Sequence, residues 1–275
     1  MPARYPERIV CLTEESTETL YLLGEERRIA GISGYTVRPP RARREKPRVS
    51  AFLSARQDKI LALKPDLVIG FSDLQADIAR DLTKAGLNVL IFNQRSVQEI
   101  LDMILALASL VGAADKGVHL VRELENGLSE IRNHSRSFQR RPRVYFEEWD
   151  EPMISGIRWV SELVEIAGGE DVFSDQSRSQ GATGRIVSDP AVVISKNPEV
   201  ILGSWCGKKF RPERVRARPG WDSISAVQEN QLFEIKSADI LQPGPAALTD
   251  GVRQIHEILK RFSGRASGTR ARAAG

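Results

Sequence analysis

The sequence predicts an α/β protein of two similar lobes, joined by one long rigid helix, with a ligand cleft between the lobes. Two repeated segments carry that prediction. Residues Lys64-Pro65-Asp66-Leu67-Val68-Ile69-Gly70 are echoed by Asn197-Pro198-Glu199-Val200-Ile201-Leu202-Gly203. Each is a Pro-acid pair running into a short apolar strand closed by Gly. At nearly the same offset, Arg8-Ile9-Val10-Cys11-Leu12-Thr13-Glu14-Glu15 is matched by Arg143-Val144-Tyr145-Phe146-Glu147-Glu148. Each half therefore opens with a strand ending near two glutamates and later carries a Pro-led buried strand. Clefts between such lobes are common ligand sites. The competing explanation is chance likeness between two ordinary βα units.

The elements alternate along the chain. A strand over 8–12 leads into a helix starting at Thr13 and stopped by Gly24. A second strand covers 28–32, and 33–54 reads as a long loop with a basic run. A helix over 55–63, the repeated strand at 67–71, a helix over 74–85 closed by Gly86, and a strand at 88–92 complete the half. Ser96-Val97-Gln98-Glu99 is a capping box. It opens a helix that Gly112 interrupts, and a second helix runs from 114 to 135 with an apolar stripe at Val118, Val121, Leu124, Leu128 and Ile131. The second half repeats the alternation: a strand at 143–147 and a helix at 159–166 stopped by Gly168-Gly169. Next come a helix opened by Asp189-Pro190, the repeated strand at 200–203, a short strand at 231–235 and a final helix over 245–262. Strands alternating with helices argue for parallel, helix-covered sheets. The expected domains are an N-terminal lobe (1–113), a linking helix (114–138), a C-terminal lobe (139–262) and a disordered basic tail (263–275).

The chain has 275 residues, 41% hydrophobic and 28% charged, with a net charge of +4, which suits a water-soluble two-domain protein. The tail carries arginines without interleaved aromatic residues, so nucleic-acid binding is not expected. Two cysteines, Cys11 and Cys206, exclude a disulfide framework and a cysteine-rich zinc site. No apolar stretch long enough to span a membrane occurs. No apolar leader precedes the first strand, so the chain as written is expected to be cytoplasmic, or periplasmic if a leader has been removed.

Ordered motifs point further. Arg8–Glu15, Lys64–Ile69, Gly86-Leu87-Asn88-Val89, Ile154-Ser155-Gly156, Ala167-Gly168-Gly169-Glu170-Asp171-Val172-Phe173 and Asn197–Ile201 together resemble the periplasmic substrate-binding proteins of cobalamin and ferric-siderophore ABC importers. The cobalamin-binding members are the nearest likeness, and it covers about residues 6–262. The resemblance implies two Rossmann-like lobes, a rigid linking helix, a shallow aromatic cleft and a non-catalytic protein. It also implies docking on an ABC permease through one exposed Glu per lobe, and one cleft per chain suggests a monomer. Those positions fall near Ala76 or Asp77 and at Leu241, so one acid is at best conservatively replaced and the other is lost. Ser204–Phe210 and Gln242–Pro245 depart from the pattern of the cobalamin binders.

In doubly wound sheets, ligands sit beyond the carboxyl ends of strands. That rule nominates Glu14, Glu15, Tyr35, Phe52, Phe71, Glu148, Trp149, Ser204, Trp205, Cys206 and Gln242; the resemblance adds Arg185, where family members bring a cleft-lining segment, and Lys208 stands with it as a cation. Aromatic residues suit a flat macrocycle such as a cobalt corrinoid. Arg185 and Lys208 would receive ligand carboxylates or phosphate. No cofactor and no resident metal are expected. Two alternatives stay open: a ferric-siderophore or haem-binding protein, and an enzyme. The enzyme would use Cys206, activated by Lys208 and Lys209, or the acids of a Glu147–Asp150 loop. Trp205-Cys206-Gly207 lacks a second cysteine at Lys209, which excludes a thioredoxin motif. Neither Gly-rich stretch matches a nucleotide fingerprint.

Overall fold

The computed structural model describes residues 5–51 and 54–262. They form two compact units. The first takes its residues from 1–127 and 236–251, the second from 128–235 and from 252 onward. The first unit thus includes a segment, 236–251, that the sequence reading had placed in the C-terminal lobe. The proposed tail at 263–275 lies outside the described residues.

The first unit is built on a parallel sheet of five strands: β1 (Ile9–Cys11), β2 (Ile29–Ser33), β3 (Arg48–Ser50), β4 (Leu67–Phe71) and β5 (Val89–Phe92). Their order is β3-β2-β1-β4-β5, that of the first five strands of a doubly wound fold. β-branched residues meet across the central ladder, as in Val10 opposite Val68 and Val68 opposite Val89. Val10, Leu12, Val49, Ile60, Val68 and Leu82 pack as a core on one side of it. The stretch read as one loop, 33–54, contains the short helix Ala42–Glu45 and β3. Both are too short, and too rich in arginine, to show a hydrophobic period.

The second unit has β6 (Arg143–Asp150), β7 (Met153–Ser155), β8 (Glu170–Asp171), β9 (Val200–Gly203) and β10 (Leu232–Glu234). The order is β10-β9-β6-β7, with β8 also pairing β6. β9 and β10 continue the parallel pattern, whereas β7 returns antiparallel against the end of β6. The acids expected on a loop at Glu147–Asp150 are therefore strand residues. Their alternating aromatic and aliphatic neighbours favour extended backbone, and a turn at Glu151-Pro152 lets the strand fold back.

The repeated phrase is a repeated physical device. The Asp66 carboxylate accepts the backbone N–H groups of Glu7 (2.7 Å) and Arg8 (3.0 Å). The Glu199 carboxylate accepts that of Arg143 (3.1 Å). In return Arg8 donates to the carbonyls of Leu63 and Lys64, and Arg143 donates to that of Asn197. Lys64 and Asn197 both adopt positive φ, 47° and 42°, which turns each preceding helix into the Pro-led strand. In both units an Arg–acid exchange thus fixes the start of the first strand against the start of its parallel neighbour.

The capping box at Ser96 and Glu99 closes as expected on the helix Val97–Leu110. The helix Ala114–Ser135 is continuous, its residues 114–127 belonging to the first unit and 128–135 to the second. The final helix is shorter than read: a π-helical turn, Ala247–Gly251, precedes Val252–Lys260. Within the second unit His256 Nδ1 lies 2.9 Å from the Ala167 carbonyl, its Nε2 lies 2.8 Å from His134 Nδ1, and its ring stacks on Phe138. Among the described residues no helix is long and apolar enough to cross a membrane.

The clamp can be tested. Glu199→Ala removes the acceptor of the Arg143 N–H and of one Arg140 hydrogen bond, and should lower stability by about 1–3 kcal/mol, read as a fall in the urea midpoint at unchanged slope.

Candidate ligand-binding site

The carboxyl ends of the strands gather the polar chemistry of each unit. In the first unit, Thr13, Glu14 and Glu15 follow β1 directly. Glu14 is buried: its Oε2 accepts the Val37 N–H at 2.9 Å, and its Oε1 has no partner among the described residues. Burial, reinforced by Glu18 and Glu15, pushes its carboxyl up to about 8 against the pull of the Val37 N–H and Arg38. Glu15 is likewise buried and is pushed up to about 7. Thr13 Oγ1 donates to its Oε1 at 2.6 Å, and its Oε2 is unpartnered. Three more unpartnered buried oxygens lie past the ends of neighbouring strands: Thr36 Oγ1 after β2, Ser50 Oγ at the end of β3, and Gln94 Oε1 after β5. This edge offers uncharged hydrogen-bonding groups, including a carboxylic acid that is protonated at neutral pH and can donate.

The third glutamate of the helix, Glu18, is committed internally. It accepts Arg38 Nε (2.9 Å) and the Ala246 N–H (3.1 Å). Arg38 also pairs with Asp239 (3.2 Å) and Asp250 (2.7 Å). Gln94 Nε2 donates to the Pro243 carbonyl at 2.9 Å. A side chain at Gly244 would put its Cβ 2.5 Å from Glu15 Cβ, so only glycine lets that segment approach so closely. These contacts explain why 236–251 packs with the first unit.

In the second unit the corresponding edge is saturated with charge pairs. Glu147 is fully buried in a cage of donors: Arg218 Nη1 and Nη2 (2.6 and 3.0 Å), Trp205 Nε1 (3.0 Å) and the Tyr145 hydroxyl (3.0 Å). Burial and the Glu147 charge hold the Tyr145 phenol well above its ordinary range, so it stays a donor. Glu148 makes a two-pronged pair with Arg185, at 2.5 and 3.2 Å. Asp150 pairs with Lys208 and, at 3.2 Å, with Arg214. The Lys208 ammonium lies 3.9 Å from the centre of the Trp149 ring.

Several nominated residues are corrected by this geometry. Trp205 is 2% exposed, packed edge-on against Phe210 and bonded to Glu147, so it is core and not a stacking surface. Phe71 is 6% exposed, with the Arg95 guanidinium over its ring. Arg185 is 2% exposed, its Nη atoms are bound to Glu148 and the Ser155 carbonyl and its buried Nε has no partner among the described residues, so its charge is already met by Glu148. Cys206 is exposed, but its thiol is raised, first by desolvation and then by the Glu148 charge. The adjacent lysines therefore do not activate it: Lys208 is engaged with Asp150. Glu148 is spent on Arg185. Phe52 lies outside the described residues. Tyr35 is 60% exposed just past β2, Trp149 is part-exposed with its Nε1 donating to the Glu151 carbonyl, and Gln242 is half-buried. Sequence reasoning named Ser204, whose Oγ past β9 is also unpartnered, but missed Thr36, Ser50 and Gln94. Each is a polar residue just at or beyond a strand end, and extending the strand-end rule to small polar residues would have found them.

The positions matched to importer docking also differ. Asp77 is exposed on the first turn of the helix Ala76–Lys84 and pairs with Arg80 at 2.6 Å. Leu241 is half-buried and apolar.

The periplasmic binding protein family model matches residues 9–238. The chain belongs to that family. The uncharacterized ABC transporter substrate-binding lipoprotein YvrC of Bacillus subtilis is 24% identical, over 92% of this chain and 80% of its own. The vitamin B12-binding protein of Vibrio cholerae is 28% identical, over 92% of this chain and 89% of its own. Among solved structures, the periplasmic vitamin B12-binding protein BtuF of Vibrio cholerae superposes with a TM-score of 0.73 at 26% identity, covering 94% of this chain and 99% of that one. The periplasmic heme-binding protein RhuT of Roseiflexus sp. RS-1 superposes at 0.76 and 23%, covering 92% and 99%. The family binds small-molecule ligands and works with ABC permeases, and these relatives are substrate-binding proteins without catalysis. The cytoplasmic expectation finds no support among them.

Two measurements check the site's electrostatics. Glu147→Ala strands a buried guanidinium and two further donors and should cost about 3–5 kcal/mol in urea denaturation. Glu14 has a folded-state pKa raised to about 8 from an ordinary 4.5, so the stability tied to its neutral form is complete below pH 4.5 and is lost as pH rises toward 8. Glu14→Gln should flatten that decline, whose slope is at most about 1.4 kcal/mol per pH unit for one group.

Proposed function

We propose that this chain is the periplasmic substrate-binding component of an ABC importer whose ligand is a cobalt corrinoid. The observation that carries the ligand class is the contrast in hydrogen-bonding chemistry. Five cations near the nominated residues, Arg38, Arg185, Lys208, Arg214 and Arg218, are each paired with an acid, whereas Lys209 is exposed and has no salt bridge among the described residues. A ligand presenting carboxylates to any of the five would have to break such a pair. The unpartnered groups of the first unit, Glu14, Glu15, Thr36, Ser50 and Gln94, are instead suited to neutral amides, which ring the periphery of a corrin. The 28% identity to the vitamin B12-binding protein of Vibrio cholerae agrees with that class. Tyr35, exposed just past β2, is a nominated aromatic of the first unit with surface left to meet a macrocycle. Asp77 is the exposed acid on the first unit that would face a permease.

One observation favours a second reading. Tyr35 is exposed, and a phenolate is an established axial ligand for haem iron, so a haem ligand would be held there.

Titration with cyanocobalamin, with haemin as the control, separates the two. The corrinoid reading expects saturable one-to-one binding of cyanocobalamin, weakened at least tenfold in a Glu14→Ala, Gln94→Ala variant by loss of two hydrogen bonds. Saturation by haemin alone, abolished in Tyr35→Phe, would transfer the assignment to haem.

A further inference from the structure

The first unit carries a second concave surface, away from the strand ends. A groove of about 530 Å³ lies along β3 and the helix Gln57–Ala62. Its rim holds four cations, Arg43, Lys46, Arg48 and Lys59, and no acid lines it; its floor includes Val49 and Leu63. None of the four cations has a salt bridge among the described residues, and the nearby acids make their direct contacts to other groups. Glu26 pairs with Arg41, Glu45 accepts the Tyr21 hydroxyl at 2.7 Å, and Asp58 pairs with Arg56. Lys46 is half-buried, and desolvation lowers its pKa against the opposing pull of the Glu45 and Glu26 charges.

The shape of the groove narrows what fits. β3 is an edge strand, yet its outer side is already occupied: Ala51 N–H donates to the Ser54 carbonyl (2.7 Å) and Arg56 N–H to that of Val49 (2.9 Å). An added strand from a protein partner has no backbone edge to join. No aromatic side chain lines the groove to stack a nucleobase. A free phosphate would leave the apolar floor unused. An amphiphile with an anionic head and an apolar body uses both the rim and the floor.

We infer that this groove docks anionic phospholipid headgroups, seating the phosphate among Arg43, Lys46, Arg48 and Lys59 with the glycerol region against Val49 and Leu63. The surface would hold the protein at an acidic membrane face whatever soluble ligand it carries. The inference stands on the groove alone and does not depend on the corrinoid assignment.

The test is co-sedimentation of the full chain with vesicles of phosphatidylcholine, with and without phosphatidylglycerol. Binding should require phosphatidylglycerol and weaken as salt is raised. Removing three exposed rim cations with R43Q/R48Q/K59Q should lower partitioning on the order of a hundredfold. A control removing three exposed cations elsewhere, K84Q/R122Q/R136Q, should lower it far less. Equal falls in the two variants, or binding indifferent to phosphatidylglycerol, would overturn the inference. Displacement by soluble glycerol phosphate would reassign the groove to small phosphates. Tighter binding of a single-stranded oligonucleotide, lost in the groove variant, would reassign it to nucleic acid. Cyanocobalamin titration of the same variants reports the soluble site independently, so either reading can fail without the other.

Discussion

The exchange between an arginine at the start of one strand and an acid at the start of its parallel neighbour sets the frame for both units. Parallel strands have no hairpin to fix their register, and a slip of one residue would move every side chain to the opposite face. Here Arg8 with Asp66, and Arg143 with Glu199, tie the strand starts together through backbone and side chain at once. With the starts pinned, the ends follow. Cys11 lies opposite Ile69 and Glu147 opposite Gly203, and the residues beyond them are delivered to one edge.

What is delivered differs between the units. The second unit buries ions in pairs: Glu147 with Arg218, Glu148 with Arg185, Asp150 with Lys208. A buried charge is tolerated only when its partners replace the water it has lost, and these partners do so. The first unit buries acids without cations for two of its three glutamates. Glu14 and Glu15 meet that cost by favouring the neutral form. One edge therefore holds its charges in cross-linking pairs, with Ser204 Oγ and Arg185 Nε left unpartnered, and the other carries its unspent hydrogen-bonding capacity on acids, hydroxyls and an amide that no cation neutralises. Capacity of that kind is useful to a protein that must capture a neutral polar molecule and release it unchanged.

The same accounting separates the two surfaces of the first unit. At the strand ends, Arg38 is neutralised threefold by Glu18, Asp239 and Asp250. Around the β3 groove, four cations and no acid form the lining. The chain thus sorts one basic stretch, 38–48, into an internal brace at its beginning and an open positive surface at its end.

The fold was largely legible because its signals are local. Hydrophobic runs, the Pro-acid pairs, the capping box at Ser96 and the Asp189-Pro190 start each act within a few residues, and the family likeness rested on those same motifs. By itself the sequence determined two α/β units with a long helix after the first and parallel sheets in both, and it determined which residues stand near strand ends. It did not determine which of those residues face outward. Trp205, Phe71 and Arg185 have polar neighbours in sequence, but their burial depends on Phe210, Arg95 and Glu148, partners that the order of residues does not name. Glu147 and Arg218 are 71 positions apart, and the turn that folds β7 back on β6 is what makes a strand of the acids read as a loop. Only tertiary structure decides such pairings, because a buried charge and its counter-charge are matched in space after the backbone has chosen its path.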